Sequence, residues 1–450
     1  MPVRPERVTL TNSSVDVLNA IRNSASQDYR DHVPIATPDS EVIRQIGAII
    51  MDYPQLQNEF LNALVNRISR VLVSSRMWDN PWAMFKLGKL EFGESVEDVF
   101  VDLARVQQYD PEWAETHVEA REIPDIKSAF YIMNYEKFYK VTIQEYDIKR
   151  AFLTINGVTD LISKIIESMF TAASYDEFQV MKYLLARRLL NGQIPVLPLT
   201  DATDMKELAT KAKQVSNDMT FLSTKFNIAG VHNFAPKSEQ YLIMNSGADA
   251  SMDVEVLATA FNMSKAEFMG HRILVDGFGT LDDDRLAMLF DGQANYIAIT
   301  SAEKEALNAI PAVLVDESFW KVIDFYDTTN SRYNEEGLYR NHWYHVGKSF
   351  ATSPFANCEA FVPGTPAVST VTVTPTTASI TVGSTVQLSA VVNVTNFGSK
   401  AVTWSSADET KATVNSAGIV TGVGAGQVVI TGTSVEDSSK TARATITVTA

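Results

Sequence analysis

The sequence predicts an α+β body followed by an all-β module, and three observations carry that prediction. Apolar residues recur at steps of three and four from Val158 to Leu189, the stripe of one long amphipathic helix. Short β-branched runs alternate with helical windows after that stripe, the pattern of a mixed sheet with helices packed on it. At Pro363-Gly364-Thr365-Pro366 the composition then breaks. Two prolines fix φ and withhold two backbone donors there, so neither helix nor sheet is expected to run through. Beyond this break the chain is rich in Thr and Val, nearly free of aromatic residues, and without Met or Cys.

The elements follow in order. Ser14 is placed to cap a short helix through Val17, Leu18 and Ile21, and Ser40 another through Val42, Ile43, Ile46 and Ile50. Pro54 suits a helix start, with Leu56, Phe60, Leu61, Leu64 and Ile68 on one face. From 76 to 150 the pattern loosens into a hairpin-like arm. Turns are expected at Asn80-Pro81 and Asp110-Pro111, a helix over Val96–Val106, and strand pairs over Tyr131–Ile143. The long helix comes next, capped by Thr159 or Asp160 and ended by Gly192 and Pro195. A second helix is read through Met205, Leu208, Ala212, Val215, Met219, Leu222 and Phe226, and a third from about Asp253 to Phe261. Strands are expected at Tyr241–Met244, Ile273–Val275 and Ala312–Val315, then across the aromatic stretch Phe319–Phe361, which should pack back on the long helix. In the tail, Val371, Val373, Ile380, Val382, Val386, Leu388, Ala390 and Val392 alternate as half-buried strands, with turns every eight to twelve residues or so. That is one small Greek-key sandwich.

Charge divides as sharply as pattern does. The net charge is -16, yet the residues from Val368 onward hold only four basic and four acidic groups. The first 367 residues therefore carry 34 of the 38 basic and 50 of the 54 acidic groups, a surface ill suited to tight phosphate binding. One cysteine, Cys358, excludes an internal disulfide framework, and its place in an apolar run makes it a buried thiol rather than a nucleophile. The polar N-terminal residues offer no secretion leader, and no window approaches 18 uninterrupted apolar residues, so no membrane contact is expected.

The chemistry-bearing motifs each have a plainer explanation. Asp282-Asp283-Asp284, with His271 and Asp276 nearby, could collect a divalent cation, but a turn after Gly279 explains the three carboxylates more simply. His342 and His345 fall on opposite faces of a strand and lack a third ligand. Gly422-Val423-Gly424-Ala425-Gly426 is a turn between strands, with no following helix or Lys to cradle a phosphate. No catalytic, cofactor-binding or metal residue is therefore assigned, and no cofactor is expected.

Two resemblances add to this reading. Ala401–Ser406 (AVTWSS), continuing through Ala412–Val414, Gly418–Val420 and Gly426–Ile430, resembles bacterial immunoglobulin-like group 2 domains, with Trp404 as the large anchor of the sandwich. Asp16–Asn23 (DVLNAIRN), Val33–Thr37 (VPIAT), Val256–Phe278, Gly337–Val346 (GLYRNHWYHV) and Phe355–Val362 resemble the major capsid protein of phi-29-like short-tailed bacteriophages. The second resemblance implies the HK-97-type capsid fold. Its arm and first helices would fill 1–75, its extended loop 76–150, and its peripheral and axial domains 151–362. A linker over 363–367 and the Ig-like domain over 368–450 complete the chain.

The capsid resemblance also implies a non-enzymatic subunit of an icosahedral or prolate head shell around packaged double-stranded DNA, found in the virion and assembled in the host bacterial cytoplasm. The implied partners are further copies in pentamers and hexamers, a scaffolding protein, a portal or connector protein, and DNA held non-specifically. A cell-surface adhesin or carbohydrate-binding protein is the alternative that the Ig-like tail alone would suggest. In a ring of head-to-tail copies, the basic block Arg67, Arg70, Arg76, Lys86 and Lys89 is expected to lie on a neighbour's acidic block, which contains Glu97 and Asp98.

Overall fold

The computed structural model describes residues 14–57, 59–60, 78–90, 95–104, 106, 126–144, 157–259, 271–293 and 296–450. The chain divides into two compact units, Met1–Glu94 with Ile132–Phe178 and Val322–Phe350, and Ser95–Tyr131 with Gln179–Lys321 and Ala351–Ala450.

In the first unit, helices Ser14–Ser24, Gln27–His32 and Ser40–Asp52 bury one apolar face each. Val17, Leu18, Ile21, Tyr29, Ile43, Ile46 and Ile50 meet Ile143, Met169 and Phe170 in a single core. The third helix is capped by Asp39, not Ser40, because the Asp39 carboxylate accepts from the Glu41 amide at 2.9 Å. The helix at Pro54 forms over 54–57, while its continuation through Leu61, Leu64 and Ile68 lies outside the described residues. A four-stranded sheet in the order Lys86–Lys89, Trp320–Asn334, Tyr339–Thr352, Tyr135–Gln144 completes this unit.

The long helix runs over Gly157–Leu190, of which the part up to Phe178 belongs to the first unit and the rest to the second. Its side chains before residue 168, and hence the Thr159 or Asp160 cap, lie outside the described residues.

The second unit is built on a five-stranded sheet in the order Val196–Leu199, Cys358–Pro363, Ala312–Asp316, Gln240–Asn245, His271–Val275. Leu242, Met244, Ala312, Leu314 and Phe361 pack beneath Met205, Leu208, Ala212 and Val215 of helix Met205–Asp218. That helix ends eight residues before the periodicity does. Thr220 and Phe221 donate back to Asn217 and Asp218 in tight turns, so Leu222 is exposed rather than part of the stripe. The following helix, Ser246–Thr259, starts earlier than Asp253, directly after its strand.

Val96–Val101 is a strand, not a helix, paired with Ile126–Tyr131 in a two-stranded ribbon. Val96, Val99, Phe100 and Leu103 fit a helical stripe, and the same window fits alternation. A cross-strand partner decides between the two. The 76–150 segment is thus not one hairpin: its first and last strands, Lys86–Lys89 and Tyr135–Gln144, flank the long strands of the other sheet. The Asp110-Pro111 turn lies outside the described residues.

From Val368 the chain is all β, nine strands in three small sheets. Its core is aliphatic: Val373, Leu388, Val420, Val428, Ile430, Ile446 and Val448. Trp404 is only half-buried against it, its ring filling the space that Gly418 and Gly432 leave open. Val382 is exposed, so the alternation fails there.

Candidate assembly surface

The ribbon of the second unit has one face tied to its own body and one face exposed. Register pairs Val96 with Tyr131, Asp98 with Ala129, and Phe100 with Lys127, and these residues face inward. Asp98 accepts from the Ser353 hydroxyl at 3.2 Å and the Tyr131 hydroxyl at 3.5 Å, with Lys321 at 3.3 Å. Phe100 stacks on Phe355 with centroids 5.7 Å apart, and Lys127 donates to the Ala229 carbonyl at 2.8 Å. Asp102 meets the His232 ring at 2.8 Å; the Leu103 amide and then His232 hold its carboxyl below the ordinary range.

The opposite face is apolar and open. Val99 and Val101 stand across from Ser128 and Ile126, and Phe130 stands across from Glu97. Phe130 is 64 % exposed and Val101 and Ile126 are each more than half exposed. Val101, Ile126 and Phe130 thus form an exposed apolar patch, the kind of surface that marks an interaction site.

A second feature is ionic. In the first unit Lys86 reaches Glu177 at 3.0 Å and Asp324 at 2.6 Å, and Lys348 reaches Asp324 at 3.2 Å and also pairs with Glu177. Asn80 donates to Glu177 at 2.8 Å. Burial pushes the Glu177 and Asp324 carboxyls up, but Lys348 and Lys86 outweigh it and hold both below the ordinary value. Burial likewise pushes Lys86 down, and Glu177 and Asp324 more than reverse it. Lys89 pairs with Asp327. The expectation that Lys86 and Lys89 wait for a neighbour's acids is therefore overturned: both are paired within their own chain, and Asp98 is an inward anchor. Arg67, Arg70 and Arg76 lie outside the described residues. Glu177, Asp324 and Lys348 stand far apart in sequence, and nothing in their local patterns announces the cluster.

The residues weighed for chemistry are not brought together. Asp282 caps helix Asp283–Leu289, accepting from the Arg285 amide at 3.1 Å, while Asp283 pairs with Lys304 in the first turn. The three carboxylates are a helix start, not the turn expected, where negative charge suits the exposed amides. Asp276 binds the buried Lys182 at 2.5 Å, and His271 stacks on Tyr241. His342 is buried across from Val141, its pKa lowered to about 4 by burial and then by Arg340, while His345 sits across from Phe138. Val423 and Gly424 turn back onto the Lys411 carbonyl between two strands. Cys358 is buried, its thiol pushed up to about 12 by burial. Among the described residues no group of three or more His, Cys, Asp or Glu is placed to hold a metal ion, and no helix is long and apolar enough to cross a membrane.

The helix-and-sheet fold is one that phage capsid structures share. A chain in the capsid structure of Staphylococcus phage Andhra superposes with a TM-score of 0.51 at 15% identity, over 65% of this chain and 86% of that one. The chain belongs to the Phi29-like phage major capsid protein family, whose model matches residues 18–362. Residues 367–449 match the bacterial Ig-like domain, group 2. The major capsid protein of Bacillus phage B103 is 33% identical over 417 residues, covering 91% of this chain and 86% of its own length. That of Bacillus phage PZA is 31% identical over 399 residues, covering 87% of this chain and 83% of its own.

Proposed function

We propose that this protein is a major capsid protein, a structural subunit without catalytic activity whose copies assemble into the icosahedral or prolate head shell of a virion around double-stranded DNA. The exposed apolar face of the ribbon supports this reading, because association between copies would cover it. Assembly into pentamers and hexamers in the host bacterial cytoplasm, with a scaffolding protein and a portal or connector, completes the proposal. So do the boundaries: a body over 1–362 and an Ig-like domain over 368–450, joined by 363–367.

Replacing Val99 and Phe130 by Ser should leave the subunit's circular dichroism unchanged while cutting the yield of shells, counted by negative-stain microscopy after co-expression with scaffold, at least about tenfold. Normal shell yield from the folded double variant would contradict the assignment of this face.

The acidic body argues for DNA held loosely. With 50 acidic against 34 basic groups in the first 367 residues, phosphate contacts would release few counterions. Unassembled subunit should show little retention of duplex DNA in a gel-shift assay at about 0.15 M salt, where repulsion is screened over about 8 Å. A tight shifted band under those conditions would refute it.

A further inference from the structure

The C-terminal end of the long helix shows what the Ig-like module does for its own chain. A helix end leaves its last carbonyls without intrahelical donors. Here Gly192 takes φ +63, the left-handed conformation that glycine tolerates. The Gln193 amide then donates to the Arg188 carbonyl and the Gly192 amide to the Leu189 carbonyl, both at 2.9 Å, a Schellman closure. That closure leaves the Leu190 carbonyl. Lys400, from the module, donates its Nζ to that oxygen at 2.7 Å. The cation also stands at the negative end of the helix dipole.

The fit around this contact is close and depends on two glycines. A Cβ on Gly192 would lie 2.3 Å from the Gly398 carbonyl oxygen and 3.0 Å from the Lys400 nitrogen. A Cβ on Gly398 would lie 2.7 Å from both Pro366 and Val394 side chains. The loop that presents Lys400 is held in shape by its own bonds. Asn396 and Phe397 take positive φ, the Asn396 side chain donates to the Thr365 carbonyl at 3.1 Å, and the Ser399 amide donates to Glu436 at 2.7 Å. Burial pushes the nearby Glu303 carboxyl up, but bonds to Thr300 and the charges of Arg187 and Lys400 leave it below its ordinary value.

We infer that the Ig-like module acts as the C-terminal cap of the long helix, a stabilising role within the subunit in addition to whatever it displays outward. The seat consists of Gly192 against Gly398 and Lys400 on Leu190.

Amide hydrogen exchange on the full chain tests this. In Lys400→Met, the Asn191, Gly192 and Gln193 amides should exchange about 2- to 5-fold faster, the range expected of a cation at a helix end. Lys400→Arg, which keeps a donor cation, should restore protection. Gly398→Val, which closes the space occupied by Pro366 and Val394, should raise exchange at the same amides about tenfold or more. Lys411→Met, whose partner Asp408 lies in the same module, should leave them unchanged. Unchanged exchange at 191–193 in Lys400→Met overturns the inference. So does unchanged exchange in Gly398→Val, even where strand amides over 426–434 show that the module itself has opened.

Discussion

Glu177→Gln should destabilise the first unit by about 3–5 kcal/mol at neutral pH, the cost of removing one partner from a buried ionic group. Glu177 is 5% exposed and takes both Lys86 and Lys348, which are themselves 20% and 11% exposed. Glutamine keeps the shape and the Asn80 contact but leaves two buried ammonium groups to share Asp324 alone. Urea unfolding followed by far-ultraviolet circular dichroism gives the loss directly. The pH dependence has a definite sign. Because the folded Glu177 carboxyl titrates below its ordinary value of 4.5, its contribution is complete above about pH 4.5 and disappears as pH falls through the depressed value. The gap between wild type and variant should therefore narrow on acidification. Lys89→Met, which breaks an exposed pair with Asp327, should cost no more than about 1 kcal/mol. A Glu177→Gln loss as small as that would mean water, not the fold, solvates the cluster.

The same cluster shows where sequence reading stops. Elements with strong internal periodicity were legible: the helix over Gly157–Leu190, its Gly192 stop, the N-terminal helices, and the strands Gln240–Asn245 and Ala312–Asp316. Their signals lie within one element, where spacing alone fixes which residues share a face. The 96–106 window carried two periodicities at once, and only pairing with Ile126–Tyr131 chose the strand. The helix ending at Asp218 has no Gly or Pro stop, so Leu222 and Phe226 extended the stripe on paper while the backbone turned away. The apolar ribbon face emerged only once the register was known, since Val99 and Phe130 stand on different strands and 31 residues apart in sequence. Block charge failed for a related reason. Counting Lys86 and Lys89 as free cations ignores acids that the fold brings from Glu177, Asp324 and Asp327.

Glu359→Gln should raise stability at alkaline pH and leave it nearly unchanged in mild acid. Glu359 lies in strand Cys358–Pro363, inside the five-stranded sheet, with Leu314 as its cross-strand neighbour and Phe361 two residues on along the same face. It is 7% exposed, and burial is the one influence that moves its carboxyl. Burial alone raises its pKa from 4.5 to about 8. The folded chain thus keeps a proton that the unfolded chain releases above pH 4.5. Fewer protons bound in the unfolded state means that stability falls with rising pH, from about pH 4.5 until the folded group itself ionises near pH 8. Between pH 5.5 and 8.5 the wild-type chain should lose about 3 kcal/mol that the glutamine variant retains, at 1.36 kcal/mol for each pKa unit traversed. Urea midpoints for both proteins at the two pH values measure the difference, and the slope with pH is cleaner than either absolute value because the unpaired amide has its own desolvation cost. Parallel pH profiles for the two proteins would show that Glu359 is ionised in the folded subunit, with solvent or a counter-charge reaching into the sheet at that strand.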